Sequence, residues 1–315
     1  MTTRSQVRVR VLGAIACALL ALGCAPPKLD GFLYDPLAAP VGGYQLSTAV
    51  IPATWQDLRI PTRDGQTLQG YFIPSSGARP DVTLIYFHGQ SNNVGTTWPR
   101  LEYLYPLGCN ILAVDVRGYG LSTGSPDEPG IDLDVRAIWD AATGGAPQNP
   151  AAAQPATTVD AGHAVIYGRS LGAAFATELA YALSTALPPT PPAALVTESA
   201  FTSVAALVDD GAYVDLPRSF VARSSWDNLT KIRSVRSTYL AFHGTADRYV
   251  LTRYSQELVA AHKAAFPALT PALVLVDGAD HDDVPEVLTL PVYQEDLRGY
   301  LNAIPAGGAT ATLAP

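Results

Sequence analysis

The chain has 315 residues, of which 48% are hydrophobic and 15% are charged, which is enough for one large buried core. Its formal net charge of −8 argues against nucleic acid or an anionic surface as a binding partner. The three cysteines, Cys17, Cys24 and Cys109, are too few to indicate a disulfide framework.

The first 23 residues are predicted to be an export signal, because arginines precede an apolar run at 11–22 that is short for a membrane span. The run ends in Gly23-Cys24, which resembles a bacterial lipobox, a signal whose cysteine is acylated and becomes the new N-terminus. Acylation of Cys24 would anchor the protein to a membrane without a spanning helix. The alternative is an ordinary secretory signal with an incidental cysteine.

The residue after the lipobox cysteine is Ala25 and not an aspartate, which favours the outer membrane as the destination by resemblance to such lipoproteins. The alternative destination is the periplasm or the medium. Residues 24–44 are predicted to be a lipidated N-terminus and a tether, because the segment is rich in proline, glycine and alanine. We expect one folded domain at 45–305 and a disordered tail at 306–315.

The hydrophobic pattern of this domain predicts strands that alternate with helices. Alternating residues around Asp64-Gly65 predict a hairpin of strands at 55–60 and 67–73. Continuous apolar runs predict buried strands at 82–87, 110–114, 165–167, 194–197, 239–242 and 273–276. Helices are predicted at 96–105, 131–142, 173–187, 252–265 and 291–304. The pattern indicates an α/β fold, with a mostly parallel central sheet and helices on both faces.

Two segments stand outside this alternation. Residues 144–163 are rich in alanine and proline and have no period, so we interpret them as a surface insertion. Residues 201–237 separate two strands and carry apolar side chains. They are predicted to form a small cap, which either binds an acyl chain or simply covers the edge of the sheet.

The strongest local signal is Gly168-Arg169-Ser170-Leu171-Gly172, between a predicted strand and a predicted helix. G-x-S-x-G in that context is typical of a nucleophile elbow, a turn so sharp that the serine lies in strained backbone space. The glycines let the strand and the helix approach without a Cβ clash. A chance match is the alternative, and the flanking elements argue against it. Ser170 is therefore the predicted nucleophile.

A serine hydroxyl becomes a nucleophile only when a histidine removes its proton and a carboxylate orients that histidine. The chain has five histidines. His88 and His243 end strands in His-Gly turns, where bonding to nearby backbone is the common role. His163 borders the insertion, and His262 is expected on the solvated face of a helix. His281 follows the last strand in a loop, where such a sheet presents its ligand groups, and is the predicted base.

Asp247 is the predicted orienting carboxylate, because it lies just past the end of a strand, after Ser170 and before His281. Three further carboxylates surround the histidine: Asp280, Asp282 and Asp283. A carboxylate adjacent in sequence rarely points at the same ring, so we interpret these as solvated loop charges. A metal site built from His281 and these aspartates is the weaker alternative, because no second histidine or cysteine stands at ligand spacing.

The oxyanion of a tetrahedral intermediate needs backbone N–H donors already in place. The N–H of Leu171, the residue after the nucleophile, is one predicted donor. The N–H of Gln90, in the turn after the first long buried strand, is the other.

Six short motifs together resemble one protein family. They are Phe87-His88-Gly89-Gln90, Asp115-Val116-Arg117-Gly118-Tyr119-Gly120-Leu121-Ser122, Gly168-Arg169-Ser170-Leu171-Gly172, Glu198-Ser199-Ala200-Phe201-Thr202-Ser203, Asp227-Asn228-Leu229 and His243-Gly244-Thr245-Ala246-Asp247. Their order is similar to that of the α/β-hydrolase fold serine hydrolases of the Bem46 type. In that family the serine comes first along the chain, then the acid, then the histidine. The likeness covers residues 55–304, and the insertion at 144–163 departs from the family pattern.

The resemblance implies a triad of Ser170, Asp247 and His281 with an oxyanion hole at Gln90 and Leu171. It also implies hydrolysis of a small-molecule or lipid carboxylic ester, or of a thioester, without a cofactor. A peptidase or an acyltransferase on the same fold is one alternative. A surface lipoprotein that keeps the fold for binding is another, although an intact set of serine, aspartate, histidine and elbow glycines argues against it.

Overall fold

The computed structural model describes residues 33–75, 77–144, 159–210 and 224–306. The predicted export signal, Cys24 and residues 307–315 of the predicted tail lie outside this part of the chain. So do residues 145–158 of the predicted insertion and residues 211–223 of the predicted cap.

Within the described residues, eight strands form one sheet in the order β1-β2-β4-β3-β5-β6-β7-β8. The strands are β1 (Gln56–Pro61), β2 (Thr67–Ile73), β3 (Arg79–Phe87), β4 (Cys109–Asp115), β5 (Ala164–Arg169), β6 (Ala194–Glu198), β7 (Thr238–Gly244) and β8 (Ala272–Val276). β2 pairs antiparallel with β1 and β4, and the pairs from β4 to β8 are parallel. The predicted hairpin and the mostly parallel sheet are both confirmed.

Helices follow the parallel strands on both faces of the sheet. They are α1 (Val94–Leu104), α2 (Glu128–Thr143), α3 (Leu171–Thr185), α4 (Val204–Asp210), α5 (Asn228–Lys231), α6 (Arg253–Ala265), α7 (Val284–Leu288) and α8 (Leu290–Ala303). Apolar residues of α2, α3 and α6 belong to one core cluster, and those of α1 and α8 belong to a second. In β3, Ile85 faces the first cluster and Leu84 the second, so an apolar run covered on both faces was the correct interpretation.

Capping residues explain why two helices begin earlier than predicted. The side chain of Asn93 accepts a hydrogen bond from Thr96 N, so α1 begins at Val94. The side chain of Asp127 accepts one from Gly130 N, so α2 begins at Glu128. In α2 the first buried aliphatic residue is Ile131, so the hydrophobic pattern carries no signal at the start of that helix.

The N-terminal segment departs from its prediction. Residues 33–44 fall within the predicted tether, yet Tyr34 is only 1% exposed and Ala38 forms a bridge with Gly120. This part of the tether belongs to the folded domain, so the predicted boundary at residue 45 is too late. The segment lacks a helical or strand period, which is why its composition alone resembles that of a linker.

The described parts of the cap are α4, α5 and the residues around Trp226, whose ring is fully buried against Phe175. Across the described ranges, no helix combines the length and apolar character needed to cross a bilayer.

Candidate active site

Ser170 lies in a strained turn between β5 and α3. Its backbone angles, φ 53° and ψ −121°, are outside the regions that non-glycine residues ordinarily occupy. A Cβ at Gly168 would lie 2.2 Å from the carbonyl oxygen of Gly172, and one at Gly172 would lie 2.3 Å from the carbonyl oxygen of Phe87. Strand and helix therefore meet at a distance that only glycine allows, as a nucleophile elbow requires.

The structure brings Ser170, His281 and Asp247 together from three distant parts of the chain. His281 Nδ1 is 2.7 Å from Asp247 Oδ2, and His281 Nε2 is 2.9 Å from Ser170 Oγ. An ionised carboxylate can only accept hydrogen bonds, so Nδ1 carries the ring proton and Nε2 accepts the hydroxyl of Ser170. This is the tautomer that a general base needs.

The carboxylate of Asp247 is held by several donors. Its Oδ1 accepts hydrogen bonds from Tyr249 N at 2.9 Å and Val250 N at 2.8 Å. Burial by itself would raise the pKa of Asp247, but hydrogen bonds from His243 and His281 outweigh it and hold that pKa well below its usual range. The group therefore carries its negative charge throughout the neutral pH range.

The two predicted oxyanion donors, Gln90 and Leu171, both line the cavity in front of Ser170. The turn after β3 lies against the elbow, since a Cβ at Gly89 would be 3.5 Å from the Cβ of Ser170. The cavity has a volume of about 560 Å³. Its apolar wall includes Leu33, Phe201, Leu207 and Val250, and its polar side includes Asn92, His281 and Asp282.

The sequence did not predict the buried ionic cluster that Glu198 forms with Arg100 and Arg169. Glu198 is fully buried, and its Oε2 accepts hydrogen bonds from the hydroxyls of Tyr167 at 2.7 Å and Tyr293 at 3.2 Å. Its Oε1 lies 3.5 Å from both Arg100 Nη1 and Arg169 Nε. Burial would raise the pKa of Glu198, but the two arginines lower it below its usual value.

The same two arginines reach the loop that carries His281. Arg169 forms an ion pair with Asp282, and Arg100 Nη2 donates a hydrogen bond to the carbonyl oxygen of Asp282 at 2.7 Å. Arg169 adjoins Ser170 in sequence and Asp282 adjoins His281, so this contact ties the elbow to the histidine loop. The presence of the charged Arg169 inside the elbow motif was the one sequence signal for this contact.

The other two carboxylates of the loop, which were expected to be solvated, also form contacts within the protein. Asp280 is paired with Arg248 at 2.6 Å, and Asp283 Oδ1 accepts a hydrogen bond from Asp280 N at 2.7 Å. Within the described residues, no group of three or more histidine, cysteine or acidic side chains is arranged to hold a metal ion.

The remaining histidines occupy structural positions. His88 Nδ1 donates to Gly89 O and His243 Nε2 donates to Val250 O, each at 2.8 Å, as their turns predicted. His163 Nε2 lies 3.0 Å from Pro305 O. The expectation for His262 was wrong: it is fully buried, and its Nε2 donates to Ser237 O at 3.1 Å. Burial lowers the pKa of His262. Cys109 is a buried free thiol.

Comparison with known proteins supports the same fold. No family model matches the chain. The chain is 34% identical over 308 residues to the uncharacterized protein Rv2307c of Mycobacterium tuberculosis, which covers 94% of this chain and 97% of that protein. It is 28% identical over 247 residues to the α/β-hydrolase domain-containing protein WAV2 of Arabidopsis thaliana, covering 72% and 73% of the two chains. It is 28% identical over 240 residues to the protein bem46 of Schizosaccharomyces pombe, covering 73% and 74%.

Among solved structures, the esterase Pf2001 of Pyrococcus furiosus superposes with a TM-score of 0.65 at 20% identity. The superposition covers 87% of this chain and 99% of the esterase. An α/β-hydrolase from Vibrio vulnificus superposes with a TM-score of 0.59 at 16% identity, covering 79% and 81%. These similarities show the α/β-hydrolase fold.

Proposed function

Because this chain belongs to one family with the mycobacterial protein Rv2307c and has the α/β-hydrolase fold, we propose that it is a serine hydrolase that cleaves carboxylic esters through an acyl-enzyme. The observation that carries the proposal is the continuous hydrogen-bond chain from Ser170 through His281 to Asp247. The archaeal protein Pf2001, which shares the fold, is itself named an esterase, and this agrees with the proposed reaction class.

In the first half-reaction, Ser170 Oγ attacks the ester carbonyl while His281 Nε2 takes its proton. The negative oxygen that forms is bound by the N–H groups of Gln90 and Leu171, each worth about 3 kcal/mol in comparable sites. Collapse of the intermediate breaks the bond to the alcohol, which leaves with the proton from His281. Asp247 keeps the ring oriented and stabilises its positive charge.

In the second half-reaction, a water molecule gives its proton to His281 and attacks the acyl-enzyme. The carboxylic acid leaves, and the proton returns to Ser170. No step requires a cofactor. The substrate class we propose is a small-molecule or lipid ester, or a thioester, because apolar residues form one wall of the cavity.

Substitution of the nucleophile tests this proposal. We expect Ser170→Ala to lower turnover of p-nitrophenyl butyrate by about 10⁴-fold or more, because the remaining site lacks a group to acylate. The matched control is Ser47→Ala, at an exposed serine that does not line the cavity. Undiminished turnover in Ser170→Ala would rule out this nucleophile. Comparing amide with ester substrates in the same assay separates an esterase from a peptidase.

We also propose that the protein is exported and acylated at Cys24, on the motif Gly23-Cys24. The intact mass of the mature protein tests this. We expect a product that begins at Cys24 and carries acyl chains, and we expect Cys24→Ser to lose them while Cys17→Ser keeps them. A water-soluble product with an unmodified N-terminus beyond Cys24 would exclude acylation.

A further inference from the structure

Leu33, in a segment that resembles a linker by composition, lines the cavity in front of Ser170. We propose that Leu33 determines acyl-chain preference by forming one wall of the acyl site, and that Tyr34 and Asp35 hold it there. The proposal rests on the ester hydrolysis proposed above, and it adds a specificity residue outside the motifs that define the triad.

Leu33 shares the cavity with the reacting groups. It lines the same space as Ser170 and Gln90, and it lies on the apolar side with Phe201 and Leu207. Its side chain is half-buried and packs against the main core cluster. An acyl chain attached to Ser170 would therefore extend along a surface to which Leu33 contributes.

Tyr34 fixes this wall to the cap. Its ring is buried, and its hydroxyl accepts a hydrogen bond from Trp226 Nε1 at 2.9 Å and lies 2.6 Å from Ser224 Oγ. The hydroxyl of Tyr119 donates to the carbonyl oxygen of Tyr34. Side chain and backbone are both held, so the preceding residue has a defined position.

Asp35 fixes the same wall to the oxyanion turn. Ser91 Oγ donates a hydrogen bond to Asp35 Oδ2 at 2.7 Å, and Ser91 directly follows Gln90. Two residues later, the carbonyl oxygen of Leu37 accepts hydrogen bonds from Gly120 N at 2.9 Å and from Asn93 Nδ2 at 3.2 Å. The residues that follow Leu33 thus attach it to two structures, the cap and the turn that binds the oxyanion.

The test compares two leucines of the same segment. Leu33 lines the cavity, whereas the side chain of Leu37 is 41% exposed and does not. We measure kcat/KM for p-nitrophenyl decanoate and butyrate in the full chain carrying Leu33→Ala, Leu33→Met or Leu37→Ala. Leu33→Ala should lower the decanoate-to-butyrate ratio about tenfold, because the longer chain loses apolar contact. Leu33→Met should restore most of the ratio, since it replaces the lost volume.

The Leu37→Ala variant should keep the ratio of the parent protein. An unchanged ratio in Leu33→Ala, or an equal drop in Leu37→Ala, would overturn the proposal. Labelling of each variant by a fluorophosphonate reports whether the elbow is folded, and an unlabelled Leu33→Ala is replaced in the comparison by Leu33→Val. If the parent protein itself is neither labelled nor active, the proposed ester hydrolysis has failed and not the role of Leu33.

Discussion

The two sides of the catalytic cavity are built in different ways. On one side, Ser170, Asp247 and His281 each follow the end of a parallel strand, so the sheet itself brings them together. On the other side, Leu33 is placed by its neighbours Tyr34 and Asp35, which form hydrogen bonds with side chains of the cap and of the oxyanion turn. The chemistry of the site therefore depends on the sheet, and its selectivity depends on a segment attached to it. Substitutions on the first side should affect rate or folding most, and those on the second should have smaller effects.

Apart from loss of the nucleophile itself, the largest effect on rate is expected for Asp247→Asn. An amide donates to His281 Nδ1 and so favours the tautomer whose Nε2 carries the proton, which can no longer accept the hydroxyl of Ser170. We expect kcat to fall about 10⁴-fold with folding preserved. The control is Asp280→Asn, which changes the neighbouring carboxylate that pairs with Arg248 and should leave kcat near that of the parent protein. Equal kcat values for the two variants would contradict the assigned role of Asp247.

A large effect on stability is expected for Glu198→Gln. The change leaves Arg100 and Arg169 buried without their shared counter-charge, which costs about 3–5 kcal/mol in the free energy of unfolding. Glu286→Gln is the matched control, because Glu286 is 3.9 Å from Arg100 and its side chain is 45% exposed. Urea unfolding of both variants measures the difference. A loss below about 1 kcal/mol in Glu198→Gln would show that the cluster does not need the charge.

Two glycine-to-alanine changes test the close approach at the elbow. In Gly172→Ala the new Cβ meets the carbonyl oxygen of Phe87 at 2.3 Å, so the elbow must open, and we expect about 1–3 kcal/mol of destabilisation with loss of turnover. In α8, an added Cβ at Gly299 meets no atom of the described chain within 4 Å. Gly299→Ala should therefore stabilise the protein by about 0.5–1 kcal/mol in thermal or urea unfolding. Similar changes in the free energy of unfolding for Gly172→Ala and Gly299→Ala would contradict the close packing at the elbow.

A smaller effect on turnover is expected on the N-terminal side, for Tyr34→Phe. The change removes the acceptor for Trp226 Nε1 and leaves a buried donor without its partner, which costs about 1–3 kcal/mol in the free energy of unfolding. Turnover of a short ester should fall far less than in Asp247→Asn, since the triad does not involve Tyr34. A collapse of turnover equal to that of Asp247→Asn would show that the two sides of the cavity are not separable.

The contrast between the two sides also sets the limit of what the sequence predicts. The elbow is recognisable because its strand, its glycines and its serine are contiguous. His281 is recognisable because it lies in the loop after the last strand and follows Ser170 and Asp247 in the chain. The role of Tyr34 was missed because its hydrogen-bond partner Ser224 is 190 positions away, and no local pattern marks such a contact. Glu198 was missed for a related reason: its charge is offset by Arg100 and Arg169 from other elements. His262 was misplaced because a polar residue on a helix is ordinarily solvated, whereas here the ring lies in the core and its Nε2 donates to a backbone carbonyl.

Covalent labelling of the protein tests the central claim most directly. We predict that a fluorophosphonate adds one adduct to the folded chain, that peptide mapping places it on Ser170, and that Asp247→Asn slows its formation. Ester turnover without an adduct, or with the adduct on a residue other than Ser170, would contradict the account.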